Sequence, residues 1–280
     1  MKKWLNIVST SILALSILAG CGSAGDQKSS TADGTKKEAA AVEKIKVGVT
    51  AGLHEEVMEK VKEVSAKDGL DIQIVPFNDY VQPNMSLSQG EIDANSFQHE
   101  PFLDQFKKDR NLDITKIANT INIPMGIYSS KIKDLKDLKD GAVLGLPNDP
   151  TNGARALQLF ETAGLVKIKE GVGVKATVRD IAENPKHLQF KELEAPFVPQ
   201  ALGDLDIAAI NTNYAMQHNL TPGKDSIFLE PKDSPWVNLI AVRTADKDKP
   251  VFQKLIKAYQ SPEVKKFIED KYKGSVIPSW

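Results

Sequence analysis

Ile45-Lys46-Val47-Gly48-Val49 is rich in β-branched residues and alternates in character, so it reads as a strand. Gly52 then opens a helical stretch. Leu53, Val57, Val61 and Val64 recur there at spacings of four, four and three, which puts them on one side, and Gly69 stops the run. Ile72, Ile74 and Val75 make the next strand. A strand–helix–strand unit of this length joins two parallel strands by a crossover. The same alternation continues along the chain, and the class it predicts is α/β.

Further on, the pattern predicts a helix over 81–88 ended by Gly90, a short strand Ile92-Asp93-Ala94-Asn95 and a helix over 101–108. Residues 114–128 hold two strand-like runs around Pro124, and a charged turn follows over 134–141. Residues 142–146 read as a buried strand. Pro147-Asn148-Asp149-Pro150-Thr151-Asn152 then breaks it and starts a helix that runs to Gly164, capped by Asp149 or Thr151 with Pro150 in its first turn. Strands are expected over 205–210 and 237–242, and two amphipathic helices, 247–259 and Pro262–Tyr272, close the chain. A new strand–helix series begins near residue 126 and the chain end returns to helices. The organisation expected is therefore lobe I over 43–125 plus 237–280 and lobe II over 126–236. A ligand cleft would lie between them, where strand C-termini and helix N-termini converge.

Ahead of the folding region, Lys2 and Lys3 precede an apolar run over 5–18 and then Leu18-Ala19-Gly20-Cys21. The run is shorter than the ~20 residues a membrane-spanning helix needs and suits a cleaved signal core. Cys21 is the only cysteine. This layout reads as a lipoprotein signal: residues 1–20 are removed, and the Cys21 sulfur carries a lipid that anchors the protein to the extracytoplasmic face of the cell membrane. Residues 21–42, rich in Gly, Ser, Ala, Thr, Lys and Asp, bury too little apolar surface to fold and read as a flexible linker. No internal disulfide can form, so stability rests on packing.

Lysine and arginine number 36 against 37 acidic residues, so no strongly basic face is implied and nucleic acid is not an expected partner. There is no Gly-x-x-x-x-Gly-Lys-[Ser/Thr] loop and no Gly-x-Ser-x-Gly elbow, and Gly171-Val172-Gly173 lacks the third glycine of a dinucleotide fingerprint. His54, His99, His187 and His218 form no metal motif, and His54-Glu55-Glu56 lacks a second histidine. No metal or other cofactor is expected, and the histidines read as surface or pocket residues used singly.

Several polar residues sit at turns between strands and helices. Arg155 falls near the start of its helix, by unpaired N–H groups and the positive dipole end. Its fork matches a carboxylate, or it is a surface arginine on an ordinary helix. Asn211 ends a strand and starts a helix, where it either caps the helix or meets a ligand. Asn238 interrupts Trp236-Val237-Asn238-Leu239-Ile240, so protein or ligand must partner its amide. Tyr80, Phe97 and His99 are candidates for the walls of an apolar slot, or for ordinary packing.

Six ordered strings resemble the methionine-binding lipoproteins of bacterial ABC importers, the NlpA/MetQ-type family. They are Val47-Gly48-Val49-Thr50-Ala51-Gly52, Asp93-Ala94-Asn95-Ser96-Phe97-Gln98-His99, Ile123-Pro124-Met125-Gly126-Ile127-Tyr128-Ser129, Asn148-Asp149-Pro150-Thr151-Asn152-Gly153-Ala154-Arg155-Ala156-Leu157, Ile210-Asn211-Thr212-Asn213-Tyr214-Ala215 and Ser234-Pro235-Trp236-Val237-Asn238. The resemblance implies a two-lobed, type II periplasmic-binding-protein fold. Such a protein captures methionine, or a methionine-containing dipeptide, and delivers it to an ABC permease driven by separate ATPase subunits. Carried onto these positions, Arg155 would hold the carboxylate, Asn211 and Asn238 the amino-acid head group, and Tyr80, Phe97 and His99 the thioether. Asn213 and Tyr214 are expected to be peripheral, and Trp236 stands where tyrosine is expected. No catalysis is implied. The alternative is a surface-anchored α/β enzyme acting on a small amino-acid-like substrate.

Overall fold

The computed structural model describes residues 42–232 and 234–280. The expected signal peptide of residues 1–20, Cys21 and the expected linker as far as residue 41 lie outside the described residues.

The chain begins with β1 (Glu43–Thr50), α1 (Leu53–Ser65) and β2 (Leu70–Phe77). Then come α2 (Gln82–Gln89), β3 (Ala94–Asn95), α3 (Glu100–Arg110), β4 (Ile114–Asn122) and β5 (Gly126–Tyr128). The middle holds β6 (Val143–Pro147), α4 (Pro150–Thr162), β7 (Lys167–Ile168), β8 (Ile181–Glu183) and β9 (Gln189–Leu193). After them lie β10 (Ile207–Ile210), α5 (Thr212–Gln217), α6 (Pro222–Asp225) and β11 (Phe228–Leu229). The chain closes with β12 (Val237–Arg243), α7 (Pro250–Tyr259), α8 (Pro262–Tyr272) and β13 (Ile277–Pro278).

Two main sheets result, one per lobe, and β7 and β8 form a separate two-stranded sheet. The first is six-stranded in the order β13-β4-β12-β3-β1-β2, and the second five-stranded in the order β11-β5-β10-β6-β9. As the opening stretch predicts, β1 and β2 pair in parallel, Val47 opposite Ile74. The helix between them buries Leu53, Val57 and Val61, and the 3-10 turn Ala66–Asp68 that follows it ends in left-handed backbone at Gly69 (φ 71°), a conformation glycine adopts without steric cost. These residues join Ile72, Ile240, Leu255, Tyr259 and Ile268 in the core of the first lobe. The second lobe packs Leu144, Leu146, Leu157, Phe160 and Ile207 around its own sheet.

The chain passes from the first sheet to the second between β4 and β5, and returns between β11 and β12. The two crossings run side by side. Glu230 N–H donates to Met125 O at 2.9 Å, and the Asn122 amide donates to Lys232 O and Ser234 O at 3.1 and 2.9 Å.

Some elements differ from the sequence pattern. The strand expected over 92–95 contracts to Ala94–Asn95. The helix expected from residue 247 starts at Pro250, whose missing N–H costs nothing at a first helical position. The sequence pattern did not pick out β9, a short polar edge strand that pairs with β6 in parallel. No helix among the described residues is long and apolar enough to cross a membrane.

Phe160 is fully buried, its ring 6.3 Å from that of Phe190. Phe160→Ala should cost about 3–5 kcal/mol, read as a lower denaturation midpoint with an unchanged slope.

Candidate functional site

Helix α4 starts where the sequence breaks β6 with Pro147. Asp149 is its N-cap, accepting from Asn152 N–H at 2.9 Å, with Pro150 at the first helical position. The same carboxylate accepts from Asn152 Nδ2 at 3.1 and 3.0 Å and from the Thr151 hydroxyl at 3.2 Å. Burial holds the Asp149 carboxyl above the usual range, and these hydrogen bonds pull against that rise. One helical step on, at (i, i+3) from Asn152, Arg155 is 4% exposed and is therefore no surface arginine.

A cavity opens beside this turn. It bounds about 360 Å³ of atom-free space, counting the part open to solvent. Arg155, Asn211, Asn238, Tyr80, Phe97 and His99 all line it, together with His54, Gln98, Phe102, Ile123, Asn152, Thr212 and Asn213. The lining comes from both lobes, with Tyr80, Phe97 and His99 from the first and Asn152, Arg155 and Asn211 from the second.

Two hydrogen-bond chains set which way the amides face. Asn152 Nδ2 is committed to Asp149, so Asn152 Oδ1 accepts, from Asn211 Nδ2 at 2.8 Å and from His99 Nε2 at 3.3 Å. Asn211 makes no side-chain cap on α5, and its Oδ1 is buried without a partner among the described residues. In the second chain, Asn238 Nδ2 lies 2.9 Å from His54 Nε2 and 3.2 Å from Phe97 O. An amide nitrogen can only donate, so His54 Nε2 accepts, and the ring proton sits on Nδ1, 2.6 Å from Thr50 Oγ1. Both amide hydrogens of Asn238 are used, which leaves its Oδ1 to accept.

His99 has the opposite tautomer. Its Nδ1 accepts from Phe102 N–H at 3.2 Å as the N-cap of α3, so Nε2 carries the proton toward Asn152. Burial pushes the pKa of both His54 and His99 down to about 3, with the Arg155 charge adding to the shift at His99. Both rings are therefore neutral and fixed at neutral pH.

The Arg155 guanidinium is paired with Glu230 through Nε at 3.0 Å and Nη2 at 2.5 Å, and Nη2 also donates to Ile123 O at 2.9 Å. Nη1 has no partner among the described residues. The indole of Trp236 lies beneath the guanidinium, 5.3 Å away, and meets the His99 ring edge-on at 4.9 Å. Trp236 is thus part of the wall behind Arg155. Of Asn213 and Tyr214, both expected to be peripheral, Asn213 lines the cavity and Tyr214 does not. Asn213 accepts from the Tyr80 hydroxyl at 2.7 Å while its Nδ2 is buried and unpartnered, and the Tyr214 hydroxyl reaches Asn78 O at 3.3 Å.

The apolar side is a cluster of rings. Tyr80 lies 5.9 Å from both Phe97 and Phe102, and those two are 6.1 Å apart. Under Phe97 and His99, the buried amides of Asn84, Asn95 and Gln98 bond one another at 2.7–3.0 Å and hold the loop that carries the rings. Sequence reasoning missed Phe102 and Glu230, gave Asn152 no role beyond its turn, and left His54 as a surface or pocket histidine. The spacing of Asn152 to Arg155, and of Phe102 to His99, was a usable signal; nothing in sequence pointed to Glu230.

A family model described as NlpA lipoprotein matches residues 45–280. The D-methionine-binding lipoprotein MetQ of Escherichia coli K12 is 50% identical over 240 residues, covering 84% of this chain and 88% of that protein. A nutrient-binding protein from Burkholderia cenocepacia, solved bound to methionine, superposes with a TM-score of 0.83 at 53% identity, covering 84% of this chain and all of that one. A periplasmic substrate-binding protein of an ABC transporter from Coxiella burnetii gives a TM-score of 0.81 at 42% identity, over 84% of this chain and all of its own. The fold is the two-lobed type II fold of these binding proteins.

Both cavity histidines stay neutral to about pH 3 when folded, but take up a proton near 6.5 when unfolded. The unfolded state then binds more protons as pH falls below about 6.5, so stability is lost toward acid, by up to ~1.4 kcal/mol per histidine per pH unit. Denaturant melts at pH 7.5, 6, 5 and 4 should show this decline, and a shallower one in His54→Gln. A flat profile between pH 6 and 4 would contradict burial of neutral rings.

Proposed function

The chain belongs to the NlpA lipoprotein family, and from that premise we propose that it is the substrate-binding lipoprotein of an ABC importer, capturing methionine and passing it to the permease. One observation carries the reading: the cavity presents unpartnered acceptors and donors in a set that suits a zwitterion. Asn211 Oδ1 and Asn238 Oδ1 are placed to accept from an ammonium, while Arg155 Nη1 and Asn213 Nδ2 are placed to donate to a carboxylate. Tyr80, Phe97 and Phe102 offer a slot for an unbranched thioether, in which sulfur–ring contacts contribute ~0.3–1.5 kcal/mol.

Arg155 is the only charged side chain in the lining among the described residues, and no nucleophile–base pair accompanies it, which supports capture without chemical change. The two lobes, 43–125 with 237–280 and 126–236, would close by flexing the paired crossings. Closure excludes water from the polar grip and strengthens it. Hydrogen bonds such as Tyr80 to Asn213 and Gln217 Nε2 to Ala51 O, at 2.7 Å each, already bridge the two sides. Lipid on Cys21 would hold the loaded protein at the outer face of the membrane and raise its effective concentration at the permease.

Calorimetry with L- and D-methionine tests the ligand, and no heat with either removes it. Arg155→Ala should weaken methionine binding roughly ten- to a hundredfold, the equivalent of ~1.5–3 kcal/mol for a charge-assisted hydrogen bond. Wild-type affinity in that variant would refute the assignment. Cys21→Ala should leave binding intact and move the protein from the membrane fraction to the soluble one; unchanged fractionation would contradict the anchor.

A further inference from the structure

Arg155 carries the one full charge in the lining among the described residues, yet that charge is answered from behind. Glu230, 7% exposed and not part of the lining, accepts from Arg155 Nε and Nη2, from Met125 N–H at 3.0 Å and from the Ser234 hydroxyl at 3.3 Å. It covers one edge of the guanidinium and leaves Nη1 unpartnered. The other carboxylate close in sequence to this helix turn, Asp149, is held by Asn152 and Thr151 and does not line the cavity. The acceptors available for a ligand ammonium are neutral amide oxygens. The negative charge that balances Arg155 therefore comes from a residue set to reach no ligand.

We propose that Glu230 determines specificity for zwitterions: its buried carboxylate cancels the Arg155 charge, so the cavity accepts a guest with no net charge and rejects a carboxylate that lacks an ammonium group. The inference rests on the reading of the cavity as an amino-acid site. A zwitterion adds no net charge to the Arg155–Glu230 pair. A bare carboxylate makes a set of three charges, the guanidinium and two carboxylates, with one negative in excess, away from water, where uncompensated charge is most costly. Without Glu230 the same cavity would carry a net positive charge, and any carboxylate with a suitable tail would neutralise it. Arg155 supplies the grip on the carboxylate, and Glu230 restricts which carboxylates obtain it.

Calorimetry at pH 7.5 on wild type, Glu230→Gln and Glu230→Asp, with methionine and its des-amino analogue 4-(methylthio)butanoate, tests this. Glutamine keeps the volume and one acceptor for Arg155 but removes the charge. The wild type should bind the analogue at least a hundredfold more weakly than methionine. Glu230→Gln should raise the analogue-to-methionine affinity ratio tenfold or more, and Glu230→Asp should return it toward wild type. A purely structural Glu230 would weaken both ligands equally, and an unchanged ratio in Glu230→Gln overturns the proposal. Should that variant not fold, the wild type still decides: an analogue bound within tenfold of methionine overturns it. Wild type that binds no methionine refutes the amino-acid reading itself, whereas methionine bound with an unmoved ratio refutes only the role of Glu230.

Discussion

A guanidinium and a carboxylate taken out of water must meet, because either one alone would be an uncompensated buried charge. Arg155 and Glu230 satisfy each other in this way, and the places they come from give the pair its importance. Arg155 stands in helix α4 of the second lobe. Glu230 stands at the start of the return crossing, and its second set of bonds ties Met125 in the outward crossing and Ser234 beside it. The pair therefore joins the ligand cavity to both strands that connect the lobes. A buried pair of this kind adds little net stability against an apolar replacement. Its consequence is positional: it aims one edge of the arginine at the cavity and links that edge to the two segments that connect the lobes.

The amides follow the same logic with dipoles. An asparagine can be turned either way at little cost, so a cavity lined by Asn152, Asn211, Asn213 and Asn238 could present donors or acceptors. Asn152, Asn211 and Asn238 are turned by partners with no choice. Asp149 can only accept, which forces Asn152 and then Asn211. The Phe97 carbonyl can only accept, which forces Asn238 and with it the tautomer of His54. The polarity of the cavity is settled in advance of any ligand, and ordering a ligand there costs less reorganisation of the protein.

Much of the fold was legible in the chain. The β1-α1-β2 unit, the break at Pro147 with its cap at Asp149, and the closing helices are local patterns, decided by periodicity, turn chemistry and helix-end preferences within a few residues. The short pieces were not legible. β9 and β13 owe their extended form to the strands they pair with, β6 and β4, which lie far away in sequence. The six candidate site residues share one cavity, but their surroundings were invisible. Arg155 and Asn211 each had an ordinary reading, as surface charge and as helix cap, and only burial of the first and the missing cap bond of the second set those readings aside.

What the sequence alone determined is therefore the alternation of strands and helices, the residue types available for gripping a small polar ligand, and, through six ordered strings, the family. What only the tertiary structure decided is how those groups are charged and turned. Glu230 is 75 residues from Arg155, Asn238 is 184 from His54, and Tyr80 is 133 from Asn213. Net charge, tautomer and amide orientation are properties of contacts. The first two of these contacts join distant segments within one lobe each, and the third is made only when the crossings have brought the two sheets face to face.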